Sequence, residues 1–430
     1  MRESFLHYVW RHRLYRFVDL TTVTGQSLKV IHPGFPHPDA GPDFKQAIVK
    51  IDDITWAGDV EIHILSSDWL KHGHHQDQKY QSVILHVVYE NDMDIYRSSH
   101  EKYPTLELKE HIPDDLLDRY REMSLAENDL PCRSLLPEID SLRFSSFLSA
   151  MTMERLLKRQ KLVLDIVDLC TGNWEEAFFR LLVSNFGFKT NTPAFELLSK
   201  SIPYSSIVKH AGSKLQVYAL IFGQAGMLQT EMDDPYFQSL QSEYHYLQYK
   251  YKLVPLSPRH WSYLRLRPRN FPCIRLAQLS ELIHTVPDLF HRLIHEALGE
   301  HELEELICCT PDVYWETHYK FGKPVKARCI TLGKDSLYLL LINTMVPFLF
   351  SYGAFHGKEE LQIRAVSMLE DIPFEENRIT RYYKEAGFPA KGALYSQAIL
   401  ELKARYCTSK KCLDCPVGSF VLRKHGNRKE

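Results

Sequence analysis

Gly41-Pro42-Asp43-Phe44-Lys45-Gln46-Ala47-Ile48-Val49-Lys50-Ile51-Asp52-Asp53-Ile54-Thr55-Trp56-Ala57-Gly58-Asp59-Val60-Glu61-Ile62-His63-Ile64-Leu65 is the stretch on which the fold turns. Phe44–Ile51 reads as a strand, Asp52-Asp53 as a turn, and Thr55–Leu65 as the returning strand of a hairpin. Along the second strand Asp59, Glu61 and His63 share one face, and Val60, Ile62 and Ile64 share the other. Three ionisable groups flanked by apolar residues are costly to bury unless they bind something. Asp43 opens the first strand, which brings its carboxylate toward Glu61. Two converging carboxylates suit Mg²⁺ or Mn²⁺, with Asp59 as an additional ligand and His63 positioning a water for attack. The same residues also fit a half-exposed edge strand entered through a Gly-Pro-Asp turn.

Working outward, Phe5, Leu6, Val9, Trp10 and Leu14 recur at helical spacing over residues 3–14. Ser27–Ile31 reads as a strand. Ser66-Ser67-Asp68 offers caps for a short helix or loop from Trp69 to Tyr80. Val83–Tyr89 is nearly continuous apolar, as a strand buried on both faces should be, and Thr105–Leu108 adds a short strand. After Pro131 helical patterns take over, at 143–169, 173–187, 194–200, 214–229, 236–251 and most of 335–405, with a strand at Tyr314–Phe321. The expected class is α+β. The expected divisions are an α/β domain over 1–125, a helical domain over 131–306 and a mostly helical region over 307–430.

The 430 residues carry 52 Lys+Arg against 54 Asp+Glu, a net charge of -2, so any affinity for DNA or RNA must come from a local patch. Nine cysteines are too few, and odd in number, for a disulfide scaffold. No export signal is visible at the N-terminus, and the longest apolar run, Leu337 to Phe350, is short for a bilayer and broken by Asn343, Thr344 and Pro347. A cytoplasmic protein without a membrane partner is expected; oligomeric state is not readable.

Eleven of the 21 histidines lie within the first 111 residues. Asp68, Trp69, His72, His74, His75 and Asp77 form a cluster in which, on a helix, His72 and His75 would share a face. His63, His72, His74 and Glu61 could instead form a His/carboxylate transition-metal centre. His86, alone in an apolar strand, reads as a hydrogen-bonded core residue. Arg259, Arg265, Arg267, Arg269 and Arg275 are interleaved with His260, Trp261, Tyr263 and Phe271, the composition of a nucleic-acid surface in which arginines grip phosphate and aromatics stack on bases. The competing assignment gives these arginines Asp and Glu partners between helices. Cys407-x4-Cys412-x2-Cys415 is a metal-knuckle pattern for zinc or an iron–sulfur cluster, with His425 or Cys132 as fourth ligand, or else a reduced, unliganded tail.

Pro42-Asp43 and Glu61-Ile62-His63 resemble the motif of the PD-(D/E)XK nuclease superfamily, with His where that motif has Lys. The resemblance covers about residues 1–95. It implies a restriction-endonuclease-like mixed sheet and a metal-dependent phosphodiesterase in which Asp43 and Glu61 hold Mg or Mn. Glu3 would match an additional acid found in some members, and Gln76 with Tyr80 would match the Gln-x-x-x-Tyr of one exonuclease branch. A histidine in the lysine position is itself a metal ligand type. Ala40-Gly-Pro-Asp-Phe, Gly58-Asp-Val-Glu-Ile-His, Ser67-Asp-Trp, His72-Gly-His-His and Val83-Ile-Leu-His-Val-Val-Tyr-Glu-Asn-Asp also resemble a family of bacterial proteins known as a domain of unknown function. That likeness is expected to continue through Arg265-Leu-Arg-Pro-Arg-Asn-Phe-Pro and the cysteine tail.

Overall fold

The structure, a computed structural model, describes residues 1–97, 99–126 and 130–424. The chain divides into two compact units, Met1–Phe147 joined by Leu402–Glu430, and Leu148–Glu401. The class is α+β, as the hydrophobic patterning indicates.

The first unit is organised by one mixed sheet: β1 (Leu28–His32), β2 (Phe35–Pro36), β3 (Phe44–Ile51), β4 (Ile54–Leu65), β5 (Val83–Glu90) and β6 (Thr105–Glu107). The spatial order is β1-β3-β4-β5-β6, with β2 also on β3. β1 and β4 run antiparallel to β3, whereas β5 runs parallel to β4 and β6 parallel to β5. Parallel neighbours need a crossover, and here it is made of α2 (Asp68–Lys71) and two single turns, His74–Gln76 and Gln78–Tyr80. β5 is central, which explains its unbroken apolar run: Val83, Leu85, Val87 and Val88 are fully buried. α1 (Glu3–Arg11) buries Phe5, Leu6, Tyr8, Val9 and Trp10 and packs on β4. Glu3 and His7 lie one turn apart on its other side, half-buried.

The hairpin has a defect that serves a purpose. Phe44 pairs with Val60 and Ala47 with Gly58, so Lys45 and Gln46 together face Asp59. This is a β-bulge, and Gln46 takes a left-handed φ of 57° within it. The Gln46 amide donates to Asp59 Oδ1 at 3.1 Å, while Lys45 Nζ and Ser82 Oγ donate to Oδ2 at 2.9 and 2.6 Å. Burial alone would raise Asp59, but Ser82, Lys45 and the Gln46 amide outweigh it and hold the carboxyl below its ordinary value.

The second unit is helical around a core that includes Phe178, Phe195, Phe222, Phe237, Trp315 and Phe348. Tyr314–Phe321, expected as a strand, is instead a single 3-10 turn, Val313–Glu316, followed by a lone bridge between His318 and Pro324. Aromatic packing overrides the β pattern: Trp315 stacks on Phe222 at 5.0 Å, and Phe321 meets Phe237 at 5.1 Å. One described helix, Lys334–His356, is long and apolar enough to cross a bilayer, yet 72% of its most apolar window is buried in the protein. It is a core helix.

Asp59 anchors the bulge, so Asp59→Asn should lower stability by roughly 1–3 kcal/mol, the cost of weakening buried hydrogen bonds to a charged group. A reduced urea midpoint together with faster amide exchange at Gln46 is the expected signature.

Candidate metal centre

From Asp59 to His63 β4 is buried on both faces, and its polar face is where side chains converge. Val60 and Ile62 are fully buried behind it, while Glu61 and His63 retain only 5% and 1% exposure. Asp43, just before β3, lies across from Glu61. Its amide donates to Glu61 Oε2 at 3.1 Å, and the Ile62 amide donates to Asp43 Oδ2 at 3.0 Å. Each carboxylate is thereby fixed by the other strand's backbone. Glu61 keeps Oε1 facing inward, 3.1 Å from His74 Nε2 and 3.6 Å from His63 Nε2. His63 Nε2 also lies 3.2 Å from His72 Nδ1.

These spacings are those of neighbouring ligands. Bonds of about 2.0–2.1 Å to a tetrahedral ion separate the donor atoms by about 3.3–3.4 Å. His63, His72 and His74 each direct one nitrogen into a volume where all three lie within 4.8 Å of one another. Protonation states fit the same use. Burial, then His86, His74 and His72, hold His63 down to about 2, so its imidazole is neutral. For Nε2 to offer its lone pair, Nδ1 must carry the proton and donate to His86 Nε2, 2.9 Å away. His86 is fully buried and held down to about 3, chiefly by burial. It is the hydrogen-bonded core histidine that the apolar strand suggests, and it orients His63.

The chain path around His74 corrects the helical pairing of His72 with His75. α2 ends at Lys71, and Gly73 turns left-handed, φ 75°, a conformation that side chains other than Gly resist. The reversal sends His74 inward and leaves His75 and Gln76 exposed. His74 stacks on Tyr80 at 3.8 Å and meets Trp69 edge-on at 5.5 Å. Tyr80 is raised to about 12 by burial and by the Glu61 and Asp43 charges.

Glu3 and His7 complete the surroundings. Burial raises Glu3, His7 and His72 counter it, and Asp43 and Glu61 add to it. Burial would depress His7, but its contact with Asp43 Oδ2 at 3.3 Å, and the Asp43, Glu3 and Glu61 charges, leave it above its ordinary value. His7 was not singled out from the sequence. The i,i+4 spacing of Glu3 and His7 on one helix face was the available signal. Asp59 is not brought into the set, because Lys45, Ser82 and Gln46 occupy both its oxygens.

In the second unit the basic stretch turns inside out. Trp261 is buried, donating from Nε1 to the Ala225 carbonyl at 2.7 Å, so it is core rather than a stacking platform. Arg259, Arg265, Arg267 and Arg269 are exposed, and among the described residues none of them, nor Arg275, is ion-paired with a carboxylate. Arg275, 7% exposed, binds only neutral groups: Gln278, Asn270 and Ser336, with Phe188 against its face. It lines a cavity of about 150 Å³ with Asn191 and Asn270, and burial and Arg269 lower it to about 10. The bridging of helices through Asp and Glu partners is therefore absent from this stretch among the described residues.

Removing His86 should loosen the imidazole it orients. His86→Phe is expected to weaken Mn²⁺ binding about 10–100-fold, the usual cost of losing an outer hydrogen-bond partner, and Glu61→Gln by at least as much. Asp59→Asn should leave the affinity unchanged. Titration of the Mn²⁺ paramagnetic resonance signal reads all three.

Comparison with known proteins supplies kinship without chemistry. No curated protein and no solved structure matches the chain. One family model does, described as "Protein of unknown function (DUF2851)", over residues 3–378. The match takes in the sheet, the histidine cluster and the basic stretch, and ends before Cys407. The chain belongs to this family of proteins of unknown function, DUF2851.

Proposed function

We propose that the protein is a metal-dependent hydrolase that cleaves phosphodiesters of nucleic acid. The observation that carries the metal is the convergence of His63, His72 and His74, one nitrogen of each lying within 4.8 Å of the others, beside Glu61 Oε1, which is 3.1 Å from His74 Nε2 and 3.6 Å from His63 Nε2. Three imidazoles against one carboxylate favour a transition ion such as Zn²⁺ or Mn²⁺ over Mg²⁺, which takes oxygen donors. An ion bound there supplies Lewis acidity and a water of lowered pKa. His63 then serves as a ligand rather than as the group that positions water. Asp43 steers His7, and His7, half-buried with its basicity raised, is the group suited to exchanging a proton with water or leaving group. Phosphate recognition rests on Arg259, Arg265, Arg267 and Arg269, whose charges no carboxylate neutralises among the described residues. The reading keeps the protein in the cytoplasm.

The test uses the full chain with Mn²⁺ or Zn²⁺ and four substrates: single- and double-stranded DNA and RNA. Cleavage of at least one is expected. His63→Ala and Glu61→Gln should each reduce it by about 100-fold or more, because removing a ligand exceeds the cost of removing its outer partner. Arg267→Ala with Arg269→Ala should weaken binding at every sequence and flatten its salt dependence by about one unit per lost phosphate contact. Cleavage that survives both site variants rejects the assignment. Salt-dependent binding without cleavage would identify a non-catalytic nucleic-acid module instead.

A further inference from the structure

The C-terminal cysteines lie in the first unit, on a segment that folds back beside residues 132–138. Cys132 precedes the turn Arg133–Glu138, and Cys415 precedes the helix Pro416–Arg423. That helix packs against the turn and against α3 (Asp114–Leu125). Arg119 ties the contact, donating to the Val421 carbonyl at 2.9 Å and pairing with Glu138. Lys424 Nζ donates to the Glu138 carbonyl. Two cysteines separated by 282 intervening positions are thus carried to neighbouring element starts; both are buried, with Cys407 and Cys412 half-buried.

The local backbone is shaped around sulfur. Cys415-Pro416-Val417-Gly418 begins a helix with proline at its first position, and the Val417 and Gly418 amides donate to the Cys415 thiol. Amides aimed at one sulfur stabilise its thiolate. Gly418 passes so close to Cys412 that a Cβ there would come within 2.3 Å of the Cys412 carbonyl oxygen. Each thiol also feels the others. Burial, then Cys415, Cys407 and Cys412, raise Cys132; burial and Cys407 raise Cys412 to about 11; burial, Cys407 and Cys412 raise Cys415 to about 12 against the pull of the Gly418 and Val417 amides. These couplings put the four sulfurs in one neighbourhood, wider than the 4.8 Å within which the His63, His72 and His74 nitrogens gather.

We propose that Cys132, Cys407, Cys412 and Cys415 form a four-thiolate site for a soft metal centre that fastens the C-terminal segment to the strand-bearing unit. Zinc and a [4Fe–4S] cluster both take four thiolates, and the spectrum tells them apart. Cys132 fills the fourth position; His425 lies outside the described residues. The site is independent of the histidine centre.

The experiment is metal analysis and visible spectroscopy of the full chain purified without oxygen, in the wild type and in His63→Ala. Both should retain either about one equivalent of zinc without colour, or about four of iron with broad visible absorption. Cys132→Ser should lose that metal, while His425→Ala and Cys170→Ser keep it. If Cys132→Ser does not fold, alkylation of the native wild type decides: all four thiols should be protected, and all should become reactive together once a chelator is added. Absence of both metals, retention by Cys132→Ser with loss in His425→Ala, or four thiols reacting independently overturns the proposal.

Discussion

Two backbone amides hold the site together. The Asp43 amide binds Glu61, and the Ile62 amide binds Asp43, so two acids 18 positions apart are fixed side by side by the hairpin itself. Each spends one oxygen on the opposite strand, which leaves Glu61 Oε1 to face His63 and His74. Among the described residues no lysine or arginine bonds to Glu3, His7, Asp43, Glu61, His63, His72 or His74. A carboxylate in low dielectric without a cation is expensive, and burial raises Glu61 accordingly. His63 cannot supply the charge, since its surroundings hold it neutral. On the proposed reading a bound dication would supply the balancing charge.

The chain reaches this geometry through two local departures from regularity. The bulge at Lys45-Gln46 absorbs Asp59 into the scaffold, so one of the three acids and bases on the β4 face becomes structural. The left-handed turn at Gly73 ends α2 after a single turn and brings in His74, with Tyr80 and Trp69 holding its ring. Neither departure adds hydrophobic burial of its own. Both decide which polar side chain points where.

That distinction explains what the sequence yielded. Alternation along β4 exposed the Asp59-Glu61-His63 face, and the continuous apolar run of Val83–Tyr89 marked a central strand, because period and burial are properties of neighbours in sequence. The pairing of Asp43 with Glu61 followed from the hairpin. The retirement of Asp59 did not, because it depends on Lys45 and Ser82 arriving from two other segments. The choice of His74 over His75 hinged on one glycine's φ, and His7 required knowing that α1 packs on β4. In the basic stretch, arginine and aromatic residues alternate in sequence but separate in space: Trp261 goes inward and most of the arginines go outward.

Where the nuclease-like reading of residues 41–63 expects a lysine the chain has His63, and its surroundings suit an imidazole. A lysine there would carry its ammonium group into a nearly fully buried position. His63 has 1% exposure and a second imidazole on each nitrogen, His86 on Nδ1 and His72 on Nε2. An imidazole fits because it can donate on one side and offer a lone pair on the other. On the proposed reading, with His63 a ligand, the work of handling protons falls to another group. His7, on the far side of Asp43 and partly open to solvent, is among the described residues the remaining imidazole beside the carboxylates with its basicity raised.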